Sequence, residues 1–274
     1  MKEIDLSNKY TKEFYDEHWL GSYKKAKMVL PVVLNLLPKI NSVVDFGCGT
    51  GVWLSVFQEL GINDITGYDG PWVNKESLRI PFENFNAVAL DKKICLKKRY
   101  DLAISIEVAE HLPKESAKIF VETLTAASDI VLFSAAIPNQ GGENHINEQW
   151  QDYWVKIFKE NNYIGTDIVR KNIWKLWSEQ EIQGGGVSKQ NIILFINKRI
   201  INDINSEFIK EEESIIWDIV HPETFLWKIN NLQTGSSIYD ISLLNLYKIC
   251  FKRTIKKIIG KRVYQKIKKL FYKK

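Results

Sequence analysis

"VVDFGCGTGVWL", residues 43–54, decides how the rest of the chain is read. An apolar run leads into glycines at 47, 49 and 51, and amphipathic GVWLSVFQELG (51–61) follows. That order reads as a buried strand, a sharp turn and a helix. Glycine has no Cβ, so the backbone at such a turn can bend tightly and come close to a ligand. Asp45 stands two residues before the first glycine, and GYDG places Asp69 at the end of the next apolar run. In an open α/β sheet, ligands bind outside the carboxyl ends of the strands. An acid at the position of Asp69 can accept both hydroxyls of a ribose.

Outward from this turn the pattern repeats. Apolar runs stand at SVVDF (42–46), ITGYD (65–69), FNAVALD (85–91), YDLAISIE (100–107), DIVLFSAA (129–136), YIGTDIVR (163–170) and NIILFIN (191–197). Helix-like segments lie between them, among them PKESAKIFVETLTAAS (113–128) and NEQWQDYWVKIFKENN (147–162). Strand and helix in alternation predict a largely parallel sheet covered on both faces. Gly61 closes the first of these helices, and Pro113 opens the fourth crossover. The alternation stops near residue 200. Residues 201–240 read as a helical extension broken at Pro222, and 241–274 as a basic amphipathic tail.

The glycine turn, GYDG, ALD (89–91) and SIEVAEHLP (105–113) together resemble the cofactor half of class I S-adenosylmethionine-dependent methyltransferases. Dinucleotide enzymes also carry glycines here, but as GxGxxG with a pyrophosphate on the helix N-terminus. The likeness runs from about residue 25 to 197. It implies an α/β, Rossmann-like fold with a seven-stranded, mostly parallel sheet, helices on both faces and a C-terminal helical extension. By the same resemblance, Gly47, Gly49 and Gly51 flank the methionine part of S-adenosylmethionine, and Asp45 orients the loop. Asp69 holds the ribose, Gly70 and Trp72 line its far side, and Asp91 reads the adenine amino group. The Ile106–Glu107 backbone passes beneath the sulfonium. Trp72 is either a cofactor wall or ordinary packing, and Cys48 is a small residue of the cofactor turn rather than a reactive thiol.

Methyl transfer is an in-line displacement, and an alcohol acceptor must also lose a proton as bonding develops. Histidines are the first candidates for that task, and the chain has four. His18, in FYDEHWL, reads as structural or lid-forming, and His221, in DIVHP, as capping or packing a helix. His111 follows the fourth strand at the rim where substrate and cofactor meet. His145 lies in the polar loop after the fifth strand, NQGGENHINEQW (139–150), also on the carboxyl edge. Both are candidate catalytic residues. The alternative for His145 is a solvated loop in which Asn147 caps the following helix. No two-carboxylate or His-rich metal set stands out, so metal independence is expected.

FSAAIPNQGGENHINEQWQDYW (133–154), with QNIILF (190–195), resembles a narrower group. These are bacterial methyltransferases associated with cell-surface glycans such as lipopolysaccharide O-chains and capsules. The tryptophans at 150, 154, 174 and 177 suit either stacking on sugar faces or a helix core.

Composition bounds the remaining choices. Hydrophobic residues make up 45% of the chain and it has nine tryptophans, enough to bury a full core. The N-terminus is charged and lacks an apolar signal core, and no run is long and apolar enough to span a bilayer. Three unclustered cysteines (48, 95 and 250) give neither a disulfide framework nor zinc-ligand spacing, which points to a reducing cytoplasm. Net charge is +5, yet residues 241–274 hold 12 of the 38 basic residues and none of the 33 acidic ones. The body is therefore acidic on balance, and no nucleic-acid partner is expected. Within the tail, Ile255, Ile258, Ile259, Val263, Ile267 and Leu270 fall at helical spacing between lysines and arginines. That pattern suits a helix lying on an anionic membrane surface; RNA binding or packing on the body are the alternatives. The expectation is an O-methyltransferase acting on a saccharide or lipid-linked saccharide at the inner face of the plasma membrane. A methyltransferase of a small metabolite or lipid, or a non-catalytic cofactor-binding module, are the other readings.

Overall fold

The computed structural model describes residues 12–176 and 188–204, together with 215, 217–221, 225 and 229. Seven strands form one sheet: β1 (Ser42–Phe46), β2 (Asp64–Asp69), β3 (Phe85–Ala87), β4 (Leu102–Ile106), β5 (Ile130–Ser134), β6 (Tyr163–Thr166) and β7 (Ile193–Asn197). Their order is β3-β2-β1-β4-β5-β7-β6. All pairings are parallel except those of β7, which runs antiparallel between β5 and β6. The chain winds from β1 out to β3, then returns to place β4 on the other side of β1. That reversal opens a crevice at the carboxyl ends of β1 and β4, the place where such sheets receive ligands.

Alternate side chains of the strands serve opposite layers. Val43, Ile65, Leu102, Ile104 and Leu132 pack with residues of α1 (Lys12–Leu36), α2 (Val52–Glu59) and a later helix over Ile168–Leu176. Val44, Phe46, Ala103, Val131 and Phe133 pack with α3 (Ala117–Ala127) and α4 (Gln151–Glu160). The helix Ile168–Leu176 is α5, and a single turn, α6 (Ser188–Asn191), leads into β7. Because both faces are covered, the strands are nearly continuous in apolar residues, and each fully buried Val, Leu, Ile or Phe contributes about 1.5–3 kcal/mol. Across one face, Tyr23 and Lys27 of α1 both reach Glu59 at the end of α2, Lys27 at 3.0 Å.

Three sequence expectations change in detail. FNAVALD supplies only Phe85–Ala87 as strand, because β3 is an edge strand whose sole neighbour, β2, ends at Asp69. YIGTDIVR divides: β6 stops at Thr166, whose hydroxyl accepts the Ile168 N–H at 3.3 Å, and α5 begins at once. Asn147 does not cap α4. It is buried, donates to the Ala109 carbonyl at 3.4 Å, and the N-cap position is Trp150.

The chain divides into two compact units, Met1–Trp217 and Asp218–Lys274. In the second, the Phe225 N–H donates to the His221 carbonyl at 3.0 Å, one helical turn. Residues 241–274, with their proposed lipid-binding face, lie outside the described residues, as does most of 201–240. No helix among the described residues is long and apolar enough to cross a membrane.

Candidate functional site at the carboxyl edge of the sheet

The glycine turn after β1 has φ of 86° at Gly47, 54° at Gly49 and 83° at Gly51. A Cβ on Gly47 would stand 2.3 Å from Val108, so both the angle and the space require glycine there. The Gly47 N–H donates to the Tyr68 carbonyl at 2.7 Å, which ties the turn to β2. Asp69 completes the tie. Its carboxylate accepts the Gly49 N–H at 2.7 Å through one oxygen and the Gly70 N–H at 2.6 Å through the other. Burial raises Asp69 to about 6, while those two N–H groups pull it back toward the ordinary carboxylate range. Each oxygen keeps a lone pair for a further donor, which fits a ribose diol.

The neighbours of this carboxylate follow from the same crowding. Asp45 is buried, and burial, then the charge of Asp69, raise its carboxyl well above the usual value. Burial likewise pushes the Cys48 thiol up, and its Sγ donates to the Gly49 carbonyl at 3.5 Å, as suits an inert turn residue. Trp72 is half-buried against the α1–α2 layer and also covers Gly70, where a Cβ would lie 2.1 Å from the indole. Asp91 is half-buried in the loop beyond β3, rather than at the end of that strand as the sequence suggested.

Beyond β4, Ile106 is half-buried and Glu107 adopts φ 56°, in the left-handed region that residues other than glycine rarely occupy. Its N–H donates to both the carbonyl and the hydroxyl oxygen of Ser134 at 3.0 Å, which holds the backbone in that strained state. Its carboxylate accepts Gln140 Nε2 at 2.8 Å and Asn191 Nδ2 at 3.1 Å. Sequence reasoning missed Gln140 and Asn191. They are distant in the chain and meet only because β7 lies beside β5.

The histidines that follow are brought together. Ala109–His111 forms a 3-10 turn, and the Glu110 carbonyl accepts the N–H groups of Ile146 and Asn147, both at 2.9 Å. Those bonds fasten the loop of His145 onto the end of β4. The His111 and His145 rings then meet edge to face, with centroids 4.9 Å apart. His111 Nδ1 faces the Asn144 carbonyl at 3.3 Å, and His145 Nδ1 faces Glu148 Oε1 at 3.0 Å. Glu148 also accepts the N–H groups of Asn139 (2.6 Å) and Gly141 (2.8 Å), so NQGGENHINEQW is a braced loop rather than a solvated one. Burial, then the neighbouring His145, lower His111 to about 4; the Asn144 carbonyl opposes this. Glu110 is wholly buried, and burial, then the charge of Glu107, raise its carboxyl well above the usual range.

The sequence showed no His-rich metal set, but folding gathers Glu110, His111 and His145, with one ligand atom from each all within 4.8 Å of one another. Glu110 was the residue overlooked; the spacing of Glu107, Glu110 and His111 was its only signal. His221 is buried in the second unit, and the side chain of His18 is outside the described residues. Of the tryptophans, Trp154 is a core residue, 5.1 Å from the Phe133 ring; Trp150 and Trp174 are half-buried, and Trp177 is outside the described residues.

Residues 21–164 match a family model described as a methyltransferase domain. No curated protein matches the chain. Among solved structures, the chain is similar to magnesium protoporphyrin IX methyltransferase (ChlM) from Synechocystis with bound S-adenosylmethionine, at 18% identity, over 72% of this chain and 86% of that one, with a TM-score of 0.46. It is also similar to the methyltransferase domain of bacterial CtHen1-C, at 21% identity over 65% and 98% of the two chains, with a TM-score of 0.47. A TehB-like methyltransferase from Corynebacterium glutamicum gives 12% identity over 68% and 97%, with a TM-score of 0.46. These are likenesses of fold.

Proposed function

Because the chain belongs to the methyltransferase-domain family and is an S-adenosylmethionine-dependent methyltransferase, we propose that it methylates a sugar hydroxyl of a bacterial surface glycan or its lipid-linked precursor. The Glu110–His111–His145 cluster carries this reading. It stands beside Glu107, on the sheet edge from which the methyl group would emerge, and a hydroxyl is the acceptor that needs groups of this kind to manage its proton. The loop around it supports a polyol. Gln140, Asn144 and Gln149 are half-buried, and such amides offer both donors and acceptors, where a quinone or lipid would call for an apolar wall. The resemblance of residues 133–154 to glycan-associated methyltransferases points the same way.

When bound, S-adenosylmethionine supplies the methyl group on a sulfonium. The chain's own residues do the rest. Asp69 orients the ribose while bracing the glycine turn, and Ser134 holds the strained Glu107 backbone beside the reaction path. His111, at about 4, stays neutral at physiological pH and so presents a lone pair, not a charge. His145 directs Nδ1 to Glu148, which in the neutral ring leaves Nε2 as an acceptor. Mass spectrometry of surface glycans from cells with and without the gene tests the reading. A glycan lighter by one CH₂ per site is expected in its absence; unchanged glycan masses refute a sugar acceptor.

Asp69 also sets a pH dependence. Ribose hydroxyls donate best to an ionised carboxylate, and this one ionises near 6. S-adenosylmethionine affinity is therefore expected to be flat above about pH 7 and to fall below pH 6, toward tenfold per pH unit. Calorimetric titration between pH 5 and 8 measures it, with Asp69→Asn as the reference that lacks this step. Identical profiles for wild type and variant count against the role of Asp69.

A further inference from the structure

Glu110 is at 0% exposure, and neither of its carboxylate oxygens has a hydrogen-bond partner. The backbone N–H groups of Glu110 and Ala136 lie near enough to favour its charged form without meeting hydrogen-bond geometry. Folding has also placed it near two further carboxylates, Glu107 and Glu148, both of which oppose its ionisation. A buried, unpartnered carboxyl among like charges keeps its proton unless a cation takes the proton's place.

Two imidazoles face the same point. His111 Nδ1 lies against a backbone carbonyl and His145 Nδ1 against a carboxylate. Both partners accept, so Nδ1 carries a hydrogen in each ring, and in a neutral ring Nε2 then carries the lone pair. An outer partner that fixes this tautomer is the usual companion of a metal-bound histidine. Gly142, at φ 154°, packs against the His145 ring so closely that a Cβ there would stand 2.3 Å from Nε2, so only glycine fits beside it. The three ligand atoms lie within 4.8 Å of one another. An ion among them is at most about 2.8 Å from each, so side-chain shifts of under an ångström reach the ~2.0–2.2 Å of a bound ion.

We propose that Glu110, His111 and His145 form a divalent transition-metal site whose open position receives the acceptor hydroxyl. Two imidazoles and one carboxylate suit zinc, manganese, iron or cobalt better than calcium or magnesium, which prefer all-oxygen shells. Three protein ligands with a position left open is the pattern of a catalytic site, not a structural one.

Ion binding stands on the cluster alone; its catalytic part rests on the hydroxyl acceptor argued above. On the ion, the hydroxyl loses its proton to solvent more readily. Its oxygen bonds to the methyl carbon as the carbon–sulfur bond breaks, and that electron pair stays on sulfur. The products are the methyl ether, a proton and neutral S-adenosylhomocysteine, with nothing oxidised or reduced.

The test uses the full chain, stripped with EDTA and brought to equilibrium dialysis with Mn²⁺ or Zn²⁺. A single bound equivalent is expected. Removing even an outer partner of a metal ligand costs about 10–100-fold in affinity, so Glu110→Gln and His145→Ala should each lose at least that much. S-adenosylmethionine calorimetry on the same samples reports whether they are folded. Should both variants fail to fold, pulsed electron paramagnetic resonance of Mn²⁺ on the wild type decides, with couplings from two imidazole nitrogens expected. No bound ion in the wild type, unchanged affinity in both folded variants, or no nitrogen coupling overturns the site. A bound ion with these properties alongside unchanged glycan masses would leave the metal site standing and refute only the sugar acceptor.

Discussion

His145→Ala is expected to lower turnover by roughly 10²–10⁴-fold with S-adenosylmethionine affinity nearly unchanged, the range that loss of a positioned proton-handling group produces. Steady-state rates and calorimetry on the same preparation measure the two halves. Geometry separates them: His145 belongs to the loop fastened to Glu110, while the glycine turn is braced by Asp69 and does not depend on that loop. His111→Ala is the companion variant, since the two rings touch. If only His111→Ala abolishes turnover, the roles are reversed and the loop serves recognition. If neither matters, Glu148, exposed Glu143 or proximity alone must suffice, and the histidine reading fails.

Arg170→Ala is expected to destabilise the fold by about 3–5 kcal/mol, the usual result of removing one partner of a buried ion pair. The Arg170 side chain is 1% exposed. It donates to the carbonyls of Gln190 and Trp217 at 3.2 and 3.3 Å and pairs with Asp167 at 3.3 Å. Truncation leaves two carbonyls short of a donor and a buried carboxylate short of its buried partner. Lys171 pairs with the other oxygen of Asp167 at 3.2 Å, but its side chain is 49% exposed. Lys171→Ala should therefore cost under about 1 kcal/mol. Urea unfolding of both variants decides, and equal losses would refute the burial argument. The consequence reaches the site, because Gln190 precedes Asn191, whose amide holds Glu107.

What the sequence revealed was local. Strand, glycine turn and helix at 43–54 lie within one short stretch, and each residue there states its own conformational need, so the turn and Asp69 were legible. The seven strands were legible from their apolar runs for the same reason. The ends of β3 and the start of α5 were not, because pairing with β2 and a single Thr166 hydroxyl decide them. Gln140 and Asn191 carried no signal at all. Their convergence on Glu107 is a property of the sheet, not of either segment. Glu110 was not singled out in the sequence, where it is one residue of SIEVAEHLP. Only the packing of the His145 loop against its backbone makes it a buried carboxylate beside two histidines.

The insertion of β7 between β5 and β6 has a consequence for biosynthesis. β6 is joined to the sheet through β7, not directly to β5. As the ribosome delivers the chain, β1 to β5 can pair in turn, but residues 163–166 have no neighbour until residues 193–197 emerge. Through that interval the open side of Ile130–Ser134, a buried apolar strand in the finished sheet, offers its unpaired backbone donors and acceptors as a template for any foreign strand. Assembly thus closes from the outside inward, with the last of the described strands fitting into the interior. A message truncated shortly before codon 193 would yield a nearly complete chain whose most adhesive edge is never covered.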